Sequence, residues 1–235
     1  MINITLAVYV FWRRHSKAAH FAFAALAFVF GGWNFMNFMV AMAETRANVL
    51  FWGEWAFVLA TGIGLFYVIF SWLFPETYHV PMPSKWLVCA TVLTAGAVTG
   101  LCLTDLVQRD ALPQGGHWKL VTGPLHAVFV AYMLVMFGWG TTNLLRSHAR
   151  APAGRERMQI NYAITGLILT FVIGYLTNFV APLVTPQKNI ILLGAAGPVT
   201  WSLLTFYAIV RYRLLDIGIP LRASAIHGIV AAVLA

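Results

Sequence analysis

The chain has 235 residues, of which 60% are apolar, 14% are aromatic and only 9% are charged. Ordinary soluble domains carry roughly 25% charged residues, so this chain lacks the charge needed to cover a water-soluble globule. The formal net charge of +8 does not indicate a nucleic-acid partner, because the basic residues are scattered over loops rather than clustered on one face. The composition instead indicates a protein that lies in lipid.

The first predicted element is an apolar run from Ile2 to Trp12, which is too short to cross a bilayer alone. Arg13, Arg14 and Lys17 follow this run, whereas a signal peptide carries its basic residues first. We therefore expect a short or clipped first helix. Six runs of about the length that a bilayer core requires follow it. They cover Ala18 to Ala43, Val49 to Phe74, Trp86 to Thr104, Pro124 to Leu145, Ile160 to Val184 and Ile190 to Val210.

The last segment, Ala223 to Ala235, is apolar and is predicted to be the start of a further membrane helix that is truncated. The sequence thus predicts an all-α fold, a polytopic membrane helix bundle of about seven transmembrane helices plus the start of a further one. Residues 1–222 are expected to form one seven-helix membrane domain, with residues 223–235 outside it. Cys89 and Cys102 lie in the same span, about 20 Å apart along a helix, so no disulfide between them is expected.

The orientation is predicted from the loops, because Lys and Arg are retained on the cytoplasmic side of a membrane. One set of alternate loops holds eleven of these residues and the other set holds four. The eleven are Arg13, Arg14, Lys17, Lys85, Arg146, Arg150, Arg155, Arg157, Arg211, Arg213 and Arg222, and the four are Arg46, Arg109, Lys119 and Lys188. Loops 13–17, 75–85, 146–159 and 211–222 are therefore predicted to be cytoplasmic. The N-terminus and the longest loop, Asp105 to Gly123, are predicted to lie outside.

Glu54 is the single acidic residue inside a complete predicted span, and a charge there costs free energy unless it faces protein or water. Five more polar side chains are predicted at a similar depth in the outer half of the membrane: Asn34, Asn37, His126, Tyr175 and Asn178. These residues are candidates for a ligand-binding pocket that opens to the outside, with Trp33, Trp55 and Trp118 nearby. The alternative is hydrogen bonding between helices together with an aromatic belt at the membrane interface.

The sequence predicts no catalytic residue, no metal site and no cofactor. Its histidines fall at the ends of spans rather than in pairs at mid-membrane, which argues against haem. Lys188 lies in a loop and therefore does not suit a retinal Schiff base. The sequence also lacks the phosphate-binding glycine loops and nucleophile elbows of soluble enzymes.

Three stretches of the sequence have a familiar layout: Phe51 to Ala60 leading into Phe74-Pro75, Arg157 to Ala163, and Trp201 to Ile217. This layout resembles the N-terminal seven-helix membrane region of bacterial sensor histidine kinases, and Tyr207 to Ile217 is its most specific part. The resemblance implies an input domain in the inner membrane, with a cytoplasmic histidine kinase, or sometimes a cyclase-type output, further along the chain. It also implies a response regulator as a partner, but it does not fix a ligand.

The leading prediction is the membrane-embedded sensory domain of a two-component signalling protein. Such a domain detects a periplasmic or membrane-borne signal, a small molecule or a lipophilic compound, and passes a helix rearrangement to a cytoplasmic output module. Membrane lipids and a second copy of the chain, as a homodimer, are further candidate partners. A small transporter or transporter subunit that uses Glu54 in its pathway is the alternative, and a structural subunit of a membrane complex is a third. The basic loops Arg146 to Arg157 and Arg211 to Arg222 either transmit the rearrangement or hold anionic lipid headgroups.

Overall fold

A computed structural model describes residues 2–13, 18–75, 80–114 and 117–177, together with residues 197, 200, 201, 203–205, 207 and 208. The secondary structure elements in this part of the chain are helices and one pair of strands. They are α1 (Ile2–Arg13), α2 (Ala18–Met42), α3 (Arg46–Leu73), α4 (Lys85–Cys102), β1 (Gln108–Gln114), β2 (His117–Thr122), α5 (His126–Arg150) and α6 (Arg155–Tyr175). The described residues between 197 and 208 are also helical.

Five of the described helices, α2 to α6, are long and apolar enough to cross a membrane, which confirms the predicted membrane helix bundle. Helix α1 has 12 residues, as expected for the short first helix. Helix α5 continues to Arg150, past its predicted end at Leu145. The end of the sixth predicted span and the predicted further helix at 223–235 lie outside the described residues.

Local sequence signals set where the central helices begin and end. The Thr45 hydroxyl oxygen accepts a hydrogen bond from the Asn48 amide at 3.3 Å, which satisfies one of the free N–H groups at the start of α3. Helix α3 ends at Leu73 because Phe74, the residue before Pro75, takes an extended conformation. The Ser84 hydroxyl caps the start of α4 in the same way as Thr45 caps α3.

Helix α3 lies at the centre of the described bundle, where it contacts α2, α4, α5 and both strands. Glycines allow α2 and α3 to approach closely, since a Cβ atom on Gly32 would lie 3.0 Å from Leu59 and one on Gly62 would lie 3.4 Å from Val29. Trp201 is fully buried against α2, with its ring centroid 5.3 Å from that of Phe23. The described core consists of two clusters of buried side chains, and α3 contributes residues to both.

The predicted loop from Asp105 to Gly123 contains an antiparallel β hairpin, a feature that the sequence analysis did not anticipate. Strands β1 and β2 pair from Gln108 opposite Thr122 to Gln114 opposite His117. The hairpin follows the end of α4 and precedes the start of α5, and both of its strands contact α3. It therefore covers the end of the bundle at which α3 and α5 begin, and we call residues 105–123 the hairpin cap.

Candidate functional site

Three of the predicted site residues share one level of the bundle. Helices α3 and α5 run in the same direction, because Gly64 lies beside Met136 and Ser71 lies beside Asn143, seven residues further along both helices. The same offset places His126 within about one turn of the level of Glu54. Helices α2 and α3 run in opposite directions, and their glycine contacts place Asn37 within about one turn of Glu54. Glu54, Asn37 and His126 thus lie at a common level on three helices, directly beneath the hairpin cap.

The two asparagines of α2 differ in their hydrogen bonding. The Asn37 side-chain amide donates to the carbonyl oxygen of Trp33 at 2.8 Å, one turn earlier on the same helix. The Asn34 carbonyl oxygen Oδ1 is buried and accepts no hydrogen bond. A buried acceptor without a donor is energetically costly, so Asn34 is suited to receive a hydrogen bond from a ligand or a water molecule.

His126, the first residue of α5, joins the hairpin cap to an aromatic cluster. Its imidazole is hydrogen-bonded to the backbone of Val107 in the cap. Its ring also lies edge-on to Phe57 of α3, with centroids 5.6 Å apart, and Phe57 in turn contacts Phe129 at 4.9 Å. His126 therefore connects α3, α5 and the cap at a single point.

Gln108, a residue that the sequence analysis did not single out, fastens the cap to α3. It is 2% exposed, and its side-chain amide donates to the carbonyl oxygen of Leu50 at 3.3 Å. The amide lies against Gly53, where a Cβ atom would be only 2.8 Å from Gln108 Nε2, so the absence of a side chain at position 53 makes this contact possible. The Oε1 atom of Gln108 is buried and has no hydrogen-bond partner.

An ion pair at the edge of the cap ties β1 to the first residue of α3. Arg46 Nε donates to Asp110 Oδ1 at 2.6 Å. This hydrogen bond, more than any other interaction, holds the pKa of the Asp110 carboxyl below its usual value. Asp105, at the other end of the cap, is close enough to Glu54 for the two carboxylates to interact electrostatically.

The other two predicted site residues are less directly placed. Tyr175 is partly exposed at the end of α6, and its ring stacks on Phe171 of the same helix at 6.0 Å. Phe171 stacks on Phe137 in the middle of α5 at 4.5 Å. The described ring contacts therefore place Tyr175 on the α5–α6 side of the bundle, and none of them joins it to Glu54. Asn178 lies outside the described residues.

Below the cap, three hydrogen bonds join α3 to α5 at successive levels, and we call this contact the α3–α5 seam. The Tyr132 hydroxyl donates to the carbonyl oxygen of Thr61 at 2.9 Å. The hydroxyls of Tyr67 and Thr141 are hydrogen-bonded at 2.8 Å, and the Asn143 amide donates to Ser71 Oγ at 3.0 Å. Three such bonds in register hold the two parallel helices together as one unit.

The described groups at this level of the bundle can bind a ligand. They include carboxylate, amide and imidazole groups, which recognise a ligand through hydrogen bonds or charge. In the described part of the chain, no three His, Cys, Asp or Glu side chains are grouped so that they could hold a metal ion. The described geometry therefore fits ligand recognition.

Comparison with known proteins identifies a family to which the chain matches. The sequence model of the family described as "N-terminal 7TM region of histidine kinase" matches residues 1–218. The match covers nearly the whole chain, including α1 to α6 and the hairpin cap. The comparison with curated proteins gives no match.

Proposed function

Because the chain belongs to the family of N-terminal seven-transmembrane regions of histidine kinases, we propose that its hairpin cap receives a signal and that α3 and α5 carry it through the membrane. Membership of this family identifies the chain as a multi-pass sensory input region of a histidine kinase. The kinase module of the full-length protein is the recipient of the signal, with a response regulator as its phosphorylation partner. The observation that supports the cap as the input point is its attachment to both α3 and α5, through Gln108 and His126.

The proposed orientation places the hairpin cap in the periplasm, with the protein in the inner membrane. The charge distribution supports it, because the loops predicted from the sequence contain eleven Lys and Arg residues on one side and four on the other. Arg155, at the start of α6, belongs to the side with eleven. A cysteine at position 155, in a variant whose two natural cysteines are replaced, should react with a membrane-impermeant maleimide only after the cells are opened. Labelling in intact cells would contradict this orientation.

The proposed ligand site is the region beneath the cap formed by Asn34, Asn37, Glu54 and His126, extended on α6 by Tyr175 and Asn178. Its support is the common level of Asn37, Glu54 and His126, and the buried carbonyl oxygen of Asn34 that accepts no hydrogen bond. These groups suit a small or lipophilic molecule that donates hydrogen bonds. Such a ligand acts as a signal if it binds one arrangement of cap and helices better than another.

The α3–α5 seam supports the proposed route through the membrane. Any displacement of the cap acts on the outer ends of α3 and α5 together, because the cap is attached to both helices. The seam bonds from Thr61 to Asn143 then keep the two helices in register towards the opposite side. A motion of this pair as a rigid body needs no hydrogen bond to break within the described part of the seam.

The test uses the full-length kinase in membrane vesicles and loosens the cap without touching the ligand site. Gln108→Ala removes the hydrogen bond to Leu50 and the cover over Gly53. We expect autophosphorylation of the kinase module to change by about fivefold or more, the lower end of typical allosteric coupling. The matched control is Arg109→Gln, the next residue of β1, whose side chain is exposed.

The outcome is read at equal amounts of folded protein in the membrane. Unchanged autophosphorylation in Gln108→Ala, with the hairpin shown to be loosened by faster amide hydrogen exchange, would refute the cap as the input point. A change of the same size in Arg109→Gln would show that any charge or contact on the hairpin matters equally, which also contradicts the specific attachment through Gln108.

A further inference from the structure

We propose that the turn between α5 and α6 is a docking surface for the phosphate groups of anionic phospholipids. We call residues 146–157 the basic turn. It carries four arginines and a single acidic residue, Glu156. The side chains of Arg146, Arg150 and Arg157 are exposed. A concentration of positive charge next to a membrane span attracts anionic headgroups, because the surface potential of such lipids is negative.

The basic turn is arranged so that positive groups from two helices converge. Arg157 Nε of α6 donates a hydrogen bond to His148 Nε2 of α5 at 3.2 Å, which draws the two helix ends together. Gly154 has φ +148, a conformation that favours glycine, and it lets the chain turn directly into α6. The N-cap residue of α6 is Gly154, which has no side chain to cap the helix, so the free backbone N–H groups of the first turn add a positive potential that Glu156 in the same turn offsets only in part.

The depth of the basic turn matches the headgroup layer. Helix α4 ends and α5 begins at the hairpin cap, so the start of α4 and the end of α5 lie at the opposite end of the bundle. The second residue of α4 is Trp86, whose side chain is 85% exposed, and it follows Lys85. Exposed Trp beside a basic residue is typical of the membrane interface. The apolar run of α5 also ends at Leu145, directly before Arg146.

These features favour a lipid phosphate over a soluble anion. The arginines are spread over both sides of a turn at the membrane surface, an arrangement that several headgroups can contact together and that does not enclose one ion. Arginine also forms paired hydrogen bonds with phosphate oxygens. The inference concerns lipid binding alone, so it holds or fails independently of the proposed sensory function.

The experiment places the whole chain in nanodiscs of phosphatidylcholine that contain a small fraction of brominated lipid, which quenches tryptophan fluorescence on contact. We expect brominated phosphatidylglycerol to quench more strongly than brominated phosphatidylcholine at the same fraction, because the exposed Trp86 lies at the same end of the bundle as the basic turn. Arg157→Gln should lower the apparent affinity for phosphatidylglycerol about fivefold, the expected effect of one basic residue at an anionic surface. Arg157→Lys should retain most of the affinity.

The matched control is Arg109→Gln, which removes one positive charge at the opposite end of the bundle and should leave the quenching unchanged. Equal quenching by the two brominated lipids in the natural chain would overturn the proposal, and so would a preference that persists in Arg157→Gln and in Arg146→Gln. Loss of the preference on addition of millimolar inorganic phosphate would identify a soluble phosphate as the ligand and would equally overturn it. Circular dichroism verifies that each variant retains its helices.

Discussion

A substitution at Gly140 should weaken the α3–α5 seam, whereas the same substitution at Gly138, two residues earlier, should not. A Cβ atom on Gly140 would lie 2.8 Å from Cε1 of Tyr67, closer than carbon atoms normally approach. The Tyr67 ring cannot move away freely, because it is fully buried and its hydroxyl is hydrogen-bonded to Thr141 at 2.8 Å. Gly138 is exposed, and a Cβ atom there would have no neighbour within 4 Å.

The two substitutions share one favourable effect and differ in one unfavourable effect. Alanine stabilises a helix interior relative to glycine by about 0.8–1.0 kcal/mol, and this gain applies to both positions of α5. Inserting a methyl group into a filled interior costs about 1–3 kcal/mol, and this cost applies to Gly140 alone. The difference between the unfolding free energies of Gly138→Ala and Gly140→Ala therefore isolates the cost of overpacking. We expect Gly140→Ala to be the less stable by about 1–3 kcal/mol.

The measurement is unfolding of the purified chain by sodium dodecyl sulfate in mixed micelles, followed by circular dichroism. Both variants carry the same added methyl group in the same helix, so differences in detergent binding cancel to first order. Equal unfolding free energies would refute the close approach of Gly140 to Tyr67. The α3–α5 seam would then not hold the two helices in a fixed register.

Three further predictions concern other contacts of the bundle. Asn143→Leu removes the hydrogen bond to Ser71 and should lower the unfolding free energy by about 0.6 kcal/mol, the average for hydrogen bonds between membrane helices, and by no more than about 1.7 kcal/mol, in the same detergent titration. Arg46 holds the pKa of Asp110 below its usual value. The ion pair therefore stabilises the cap fully at pH values above the usual pKa of aspartate, and this stabilisation is lost as the pH falls through the lowered pKa of Asp110. Amide hydrogen exchange of the hairpin, corrected for the intrinsic effect of pH, should therefore become faster in acid, and Asp110→Asn should abolish that dependence. Trp201→Ala should cost about 3–5 kcal/mol, since its side chain is fully buried between two phenylalanine rings of α2.

The membrane spans could be predicted from the sequence because the thickness of a bilayer fixes the length of an apolar helix. The boundaries of α2, α3 and α4 agree closely with the apolar runs. The prediction for α5 ended at Leu145, five residues early, because a search for apolar residues stops at the first arginine. A helix continues into the headgroup layer where long basic side chains reach water, so its end at Arg150 lies outside what hydropathy detects.

The hairpin cap could not be found by the same reasoning, because hydropathy over a window of membrane length averages out a strand of 7 residues. The sequence does contain one local signal, the Gly115-Gly116 pair, which is typical of a tight hairpin. The segment before it, Gln108–Gln114, has none of the β-branched or aromatic residues that favour strands, so the signal is incomplete. The role of Gln108 has no local signal at all. It depends on Leu50 and Gly53, more than fifty positions earlier, and contacts of that separation are visible only in the folded chain.

The functional alternatives show a different limit of sequence reasoning. A sensor and a small transporter both place polar residues such as Glu54 and Asn37 inside apolar helices, so composition and depth do not separate the two classes. The match to the histidine kinase family over residues 1–218 does separate them, and it supports the sensory class. The ligand is not fixed by either argument, because the site beneath the cap consists of hydrogen-bonding groups that suit many small molecules.

The two ends of α5 link the proposed signal site to the proposed lipid surface. Its first residue, His126, is hydrogen-bonded to the hairpin cap, and its last turn contains His148 and Arg150 of the basic turn. Helix α5 is joined to α3 along the seam, so a shift imposed at one end reaches the other without requiring the helix to bend. Coupling between two binding sites is reciprocal. If a ligand beneath the cap changes the affinity for anionic lipid by some factor, anionic lipid changes the affinity for that ligand by the same factor. The response of such a sensor would then depend on the charge of the membrane that surrounds it.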